Sequence, residues 1–137
     1  MKQINYWILL VLILAGLLSA CAPQTSSTTK ANPVKLEPIE GTEFKRVILT
    51  DKAAQRLNIQ VAEVSGDAIP YAAVIYDTEG NTWVYTNPAP LTFVRAPIVV
   101  DRIEGDQAVL SQGLDSGTSV VTLGVSELYG AETGVSK

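Results

Sequence analysis

Hydrophobic and polar residues are arranged in two contrasting ways along this chain. Residues 6–18 are almost entirely apolar. From Lys45 onward, short β-branched runs are separated by Gly, Asp, Asn and Pro at intervals of about 8 to 12 residues, which is typical of a small β domain. Between these regions no hydrophobic period is sustained. The pattern therefore divides the chain into an apolar leader, an irregular connection and a β module.

The module, residues 45–137, is predicted to be all-β and antiparallel with at most one short helix. That helix is predicted from Asp51 to Asn58, because the Thr50 hydroxyl can accept a hydrogen bond from a free amide of the first turn. Pro97 indicates an edge position in its strand. Period-two alternation predicts strands over Arg46–Leu49, Ile59–Val64, Ile69–Tyr76, Thr82–Thr86, Leu91–Val100, Gln107–Leu110 and Ser119–Leu123, with a hairpin joining the third to the fourth.

The apolar leader has the layout of an export signal. Lys2 precedes the apolar run, and Leu18-Ser19-Ala20-Cys21 follows it. This ending resembles the lipobox of bacterial lipoproteins, in which diacylglycerol is attached to the cysteine thiol before a peptidase cuts on its N-terminal side. The resemblance implies a signal peptide over residues 1–20. A transmembrane anchor is the alternative, but about 15 apolar residues fall short of the 17 to 25 that a spanning helix needs.

Residues 21–44 are predicted to form a lipidated cysteine followed by a flexible linker, because they are rich in Pro, Ser and Thr. Acyl chains on Cys21 would hold the protein at a membrane of the cell envelope. In lipoproteins the residue after the cysteine helps to sort the protein, and Ala22 stands where retention in the inner membrane would favour Asp. This implies the periplasmic face of the outer membrane in a cell with two membranes.

Composition narrows the possible functions. A chain of 137 residues is limited to one domain. It has no histidine, so the usual general base and metal ligand are missing, and we expect neither an enzyme nor a cofactor or metal. The net charge of -4 offers no basic surface to nucleic acid. Asp77–Asn81 looks like the start of a calcium loop, but Thr82 and Pro88 replace the required Gly and Glu, which favours a hairpin turn.

Aromatic residues are concentrated in the module. Trp83 and Tyr85 share one face of their strand, as Phe93 and Arg95 share a face of the next one. Core packing is the default interpretation of these side chains. The alternative is contact with a partner protein, because Trp, Tyr and Arg are enriched among the residues that dominate interfaces. On that interpretation Trp83, Tyr85, Phe93 and Arg95 are the candidate partner contacts.

Five segments of the module resemble the membrane-proximal domain of periplasmic adaptor subunits, or membrane fusion proteins, of resistance-nodulation-division efflux systems. They are Ile69–Asp77, Gly80–Tyr85, Phe93–Val100, Gly113–Gly124 and Glu127–Glu132. The resemblance implies an antiparallel β module that contacts an inner-membrane pump and other adaptors. A full adaptor also has a lipoyl-like domain, a long helical hairpin and a complete barrel, which do not fit between Asn58 and Ile69.

Two functions follow from these observations. The first is a lipid-anchored, non-enzymatic accessory or binding module of an envelope transport (efflux) assembly, with a transporter subunit or a full-length adaptor as its partner. The alternative is a stand-alone structural or ligand-binding envelope lipoprotein unconnected with efflux.

The lipobox resemblance predicts that Cys21 carries the acyl chains. Metabolic labelling with a fatty acid should therefore label the wild-type protein and leave Cys21→Ser unlabelled, with that variant either uncut or released in soluble form. A wild-type protein that takes up no fatty acid would contradict the assignment.

Overall fold

A computed structural model of the protein describes residues 32–134, which form a mostly antiparallel β structure. The predicted signal peptide and Cys21 lie outside the described residues. The strands are β1 Val34–Pro38, β2 Lys45–Leu49, β3 Gln60–Glu63, β4 Ala68–Pro70, β5 Ile75–Tyr76, β6 Thr82–Ala89, β7 Thr92–Glu104, β8 Gln107–Gln112 and β9 Ser119–Leu123. The helices are α1 Asp51–Arg56, α2 Val125–Thr133 and a 3₁₀ helix over Tyr71–Ala73. The all-β, antiparallel class predicted from the sequence is confirmed.

The strands follow the order β1-β2-β7-β6-β9-β3, and all of the pairs are antiparallel. Strand β7 joins two parts of the sheet, because its first half pairs with β6 and β2 while its second half pairs with β8, which in turn pairs with β4. Pro97 lies between the stretches of β7 that pair with β2 and β8, where β6 is the neighbouring strand. This local edge agrees with the position predicted for Pro97.

Both faces of the central strands are buried, and the side chains of consecutive residues point to opposite faces. Val84 and Val120 belong to a core shared with β4, β8 and the 3₁₀ helix. Their neighbours Tyr85 and Val121 belong to a second core beneath α1 and α2. A strand buried on both faces needs apolar residues at successive positions, so its sequence departs from simple alternation.

Helix α1 begins as predicted. The Thr50 hydroxyl accepts a hydrogen bond from the Ala53 amide at 3.2 Å, and Asp51 places a negative charge in the first turn. The helix ends at Arg56, and Asn58 then adopts a φ of 49°, a left-handed conformation that Asn tolerates well. These contacts bring the chain back to the sheet as β3.

The folded module begins earlier than predicted. Residues 34–38, placed in the flexible linker by the sequence analysis, form β1 and pair with β2 from Val34 opposite Leu49 to Pro38 opposite Lys45. Val34 also packs against the core beneath the helices. The sequence did not predict this strand because Pro33 precedes it and Pro38 is its last residue. Proline is disfavoured inside a sheet and is tolerated at an edge. The linker prediction is therefore corrected for these five residues.

Two other predicted boundaries differ from the structure. The strand predicted over Ile69–Tyr76 is divided by the 3₁₀ helix that follows Pro70, and β5, at its end, pairs with β6. The strand predicted over Leu91–Val100 is longer, because β7 continues to Glu104 and turns at Gly105, whose φ is 63°.

The structure adds a second α-helix, α2, where the sequence analysis predicted none. The buried side chains of α2 are Leu128 and Glu132, one turn apart on the face toward the sheet. Because one of these positions is charged, hydrophobic periodicity does not reveal the helix. Gly124 precedes it with a φ of 83°, and a Cβ atom at this position would collide with the Ile59 side chain.

The close approach of Gly124 to Ile59 predicts a specific loss of stability. In Gly124→Ala the left-handed backbone and the clash with Ile59 should together lower the free energy of unfolding by about 2 to 4 kcal/mol. Gly134, at the other end of α2, has a φ of 77° and open space around it, so Gly134→Ala should cost only about 1 to 2 kcal/mol. Urea unfolding followed by circular dichroism compares the two variants, and equal losses would show that the packing contact is unimportant.

Candidate functional site

A buried polar network centred on Glu132 joins α2 to the sheet. The Glu132 carboxylate, 3% exposed, accepts hydrogen bonds from the Tyr85 hydroxyl at 2.5 Å, from Arg95 at 3.1 Å and from the Lys45 amide at 3.1 Å. The three donors come from β6, β7 and β2. Tyr85 and Arg95 are directly opposite each other in the β6–β7 pair, so the ladder itself places both donors beneath the helix.

The guanidinium of Arg95 is enclosed by three aromatic rings. Its central carbon lies 4.5 Å from the ring centre of Phe44 and 5.4 Å from those of Trp83 and Tyr129. Phe44 and Trp83 also contact each other edge to face, with their centres 4.9 Å apart. Cation–π contacts of this kind contribute about 0.5 to 2 kcal/mol each, more when water is excluded. The rings therefore shield the Arg95–Glu132 ion pair from solvent.

Trp83 is held from its other side by the turn between β5 and β6. Asp77 accepts hydrogen bonds from the Trp83 indole at 3.0 Å and from the Asn81 side chain at 2.9 Å, and its other oxygen accepts from the amides of Glu79 and Asn81. The Asn81 and Trp83 side-chain bonds lower the pKa of Asp77 from 3.8 to about 2. Because the pKa is lowered by folding, this stabilisation is complete above about pH 4 and is lost as the pH falls through 2.

The polar side chains of this network are already hydrogen-bonded to one another, so the network can hold its own members in place. Burial, followed by the hydrogen bond to Glu132, raises the pKa of the Tyr85 phenol far above its usual range, so Tyr85 stays protonated and acts as a donor. Among the described residues, the Arg95 Nε atom is buried without a hydrogen-bond partner. Within residues 32–134, no three Asp, Glu, His or Cys side chains converge to hold a metal ion.

The four candidate partner contacts differ in how deeply the structure buries them. Tyr85 is fully buried and Phe93 is 3% exposed, both in the core beneath the helices, which corrects their assignment to a partner surface. Arg95 is 11% exposed and paired with Glu132, so its charge is engaged inside the chain. Trp83 is half-buried and reaches the surface, and its contact with a partner stays a prediction.

Trp83 lines a shallow groove of about 480 Å³ formed by β6, β7 and the turn that precedes β6. The groove continues across β7 to Pro97 and Val99, and the Val99 side chain is 47% exposed. Pro97 and Val99 are not among the four partner contacts predicted from the sequence. The feature of the sequence that could have revealed them is the uninterrupted apolar run Ala96–Val100, which places apolar residues on both faces of β7. The residues lining the groove are Gly80, Asn81, Thr82, Trp83, Pro97, Ile98 and Val99.

Comparison of the chain with protein-family models, with curated proteins and with solved structures finds no match. None of the helices formed by residues 32–134 has the length and apolar character needed to cross a bilayer. The fold and the groove define the described part as an antiparallel β module with a helix-covered face and a shallow groove of mixed polar and apolar lining.

The Arg95–Glu132 pair predicts strong coupling between two substitutions. Arg95→Met leaves the buried Glu132 carboxylate without its cation, and Glu132→Gln leaves the guanidinium without its anion, so each should lower the free energy of unfolding by about 3 kcal/mol or more. The double variant should lose clearly less than the sum of the two. Urea unfolding of all four proteins measures the coupling.

Arg102 provides the matched control for this cycle. It pairs with Asp101 and Glu104 at the surface and is 55% exposed, so Arg102→Met should change stability by less than about 1 kcal/mol. Simple additivity of Arg95→Met and Glu132→Gln would contradict the proposed dependence of each group on the other.

Proposed function

We propose that the protein is a lipid-anchored, non-enzymatic binding module of a cell-envelope transport assembly, and that it acts through protein–protein contacts. The partner is a transporter subunit or a full-length adaptor of an efflux system. The observation that carries the proposal is the groove lined by Trp83, Pro97 and Val99, within the segments that resemble the adaptors' membrane-proximal domain.

The chemistry of the groove favours a protein partner. Its lining mixes apolar side chains, among them Trp83, Pro97 and Val99, with the polar Asn81 and Thr82, and protein interfaces share this mixed character. Trp83 presents a large side chain that is already fixed by Asp77 and Arg95. A contact residue that is rigid before binding loses little conformational entropy when the partner arrives, and this favours affinity.

The lipobox resemblance supports the membrane location. Acyl chains on Cys21 would keep the module at the surface where envelope transporters assemble. The mature chain from Cys21 has 9 basic and 14 acidic residues, after Lys2 is removed from the ten basic residues of the whole chain. This negative balance disfavours binding to anionic lipid, so the acyl chains would provide the attachment.

One observation favours the alternative, a stand-alone envelope lipoprotein unconnected with efflux. Between Asn58 and Ile69 the chain forms β3 and enters β4, whereas a full adaptor inserts its lipoyl-like domain and helical hairpin in this part of the molecule. This segment therefore has no room for the parts with which an adaptor bridges a pump to an outer-membrane channel. A partner could still be contacted through the groove alone.

The groove is tested by a charge placed in its floor. Val99→Arg should reduce in-cell crosslinking to the envelope partner at least about tenfold, because an apolar contact residue is replaced by a solvated charge. Ile103→Arg is the matched control, since Ile103 lies on the same strand, is 44% exposed against 47% for Val99, and does not line the groove. Crosslinked products are identified by mass spectrometry.

The outcomes separate the two candidate functions. Full capture by Val99→Arg would remove the groove as the contact surface. If the wild-type chain captures no envelope protein while it folds and reaches the membrane, the binding-module proposal fails and the stand-alone lipoprotein becomes the better account.

A further inference from the structure

Strand β1 lies at one end of the sheet, and in the described part of the chain β2 is its single neighbour. The Thr50 amide donates to the Pro33 carbonyl at 3.1 Å, and the Ile39 amide donates to the Phe44 carbonyl at 3.1 Å. Backbone groups point to alternate sides along an antiparallel strand, so the odd-numbered residues of this segment face β2. The outward-facing backbone groups therefore belong to Val34, Leu36 and Pro38.

The side chains of β1 form a self-complementary pattern of charge. Lys35 and Glu37 flank Leu36 on the same face, and their charged groups lie 2.8 Å apart. When two copies of the strand are placed antiparallel about a two-fold axis at Leu36, Lys35 of each copy lies opposite Glu37 of the other. Opposite charges in directly opposed positions attract, and like charges there repel. Leu36, 38% exposed, then lies against its own counterpart.

The backbone fits the same register. Leu36 can exchange both hydrogen bonds with its counterpart, and the Val34 amide can donate to the Pro38 carbonyl of the second copy. Among residues 32–134, the Val34 amide donates only to the Asn32 side chain, over a long distance of 3.5 Å. Pro38 lacks an amide hydrogen but stands at the last position of the strand, so it limits the length of the pairing without blocking its centre.

The residues that the structure describes leave a groove beside β1. A groove of about 560 Å³ runs along the strand, lined by Asn32, Val34, Lys35, Leu36 and Ala131. The Ala131 side of this groove is formed by α2, so a second strand would lie next to the helix without displacing it.

Strand β3, at the opposite end of the sheet, lacks this complementarity. The Val64 amide donates to the Thr118 carbonyl at 2.9 Å, so the outward-facing groups of β3 belong to Val61 and Glu63. A two-fold pair about Ala62 would set Val61 opposite Glu63, without an opposite charge. The pattern at β1 therefore selects one edge of the sheet.

We propose that two copies of this chain associate through β1, as an antiparallel two-fold pair centred on Leu36. This inference goes beyond the partner-binding function and does not depend on it. A two-fold contact uses the same surface on both copies and is closed at two, so this edge produces dimers and leaves the groove at Trp83 free.

The register is tested with single cysteines in the full chain, oxidised in the membrane fraction of the expressing cells. Leu36→Cys should form a disulfide-linked dimer, because opposed hydrogen-bonded residues have Cα atoms about 5.5 Å apart, within the range of disulfides. Lys35→Cys should form none with itself, since its counterpart lies two positions along the second strand. Lys35→Cys co-expressed with Glu37→Cys should form the mixed disulfide. The chain with Cys21 alone should give no dimer.

The charge pattern is tested with two differently tagged copies. Lys35→Glu sets Glu against Glu and Glu37→Lys sets Lys against Lys, so each variant should co-purify with itself at least about tenfold less than the wild type does. Mixing the two variants places opposite charges at both positions again and should restore co-purification. Lys35 is 70% exposed, so its replacement leaves the core intact, and recovery in the mixture shows that both variants are folded.

Three results would overturn the proposal. The first is the absence of a disulfide-linked dimer of Leu36→Cys, and the second is a disulfide between that variant and a different protein in place of the dimer. The third is equal co-purification of all charge combinations, which would place any self-association at another surface.

Discussion

The helix-covered half of the protein depends on the burial of a single carboxylate. Removing an ion such as Glu132 from water costs several kcal/mol, and this cost is offset only where donors of good geometry replace the lost hydration. Tyr85, Arg95 and the Lys45 amide supply those donors from three strands. Helix α2 can therefore close over the sheet in one position, because a shift of one residue along the helix would leave the charge buried and unpaired. The network therefore chiefly determines where α2 lies on the sheet.

Arg95 links this interior network to the open groove. One side of its guanidinium bonds to Glu132, and the rings of Phe44 and Trp83 cover it. Trp83 in turn is bonded to Asp77 in the turn that borders the groove. The wall of the groove is thus held by the same interactions that secure α2. A single side chain, Trp83, belongs both to the shielding of the ion pair and to the accessible surface.

The sequence was sufficient for the elements that follow local rules. Thr50 predicted the start of α1 because a cap is a contact within one turn, and Ser119–Leu123 predicted a strand from its β-branched run. The site could not be predicted in the same way. Glu132 is 37 residues from Arg95 and 47 from Tyr85, so its burial depends on tertiary packing that no local pattern records. Tyr85 and Phe93 share only their residue type with the residues that dominate interfaces.

Strand β7 has a further consequence for how the molecule comes apart. It contributes Phe93 to the core beneath the helices and Ile98 to the core on the opposite face, and it also carries β8 on its second half. Separation of β7 from β6 would open both cores at once, because each of these strands contributes side chains to both. The two cores are therefore one cooperative unit, and the slowest-exchanging amides of both should report the same global opening rather than two separate melting events.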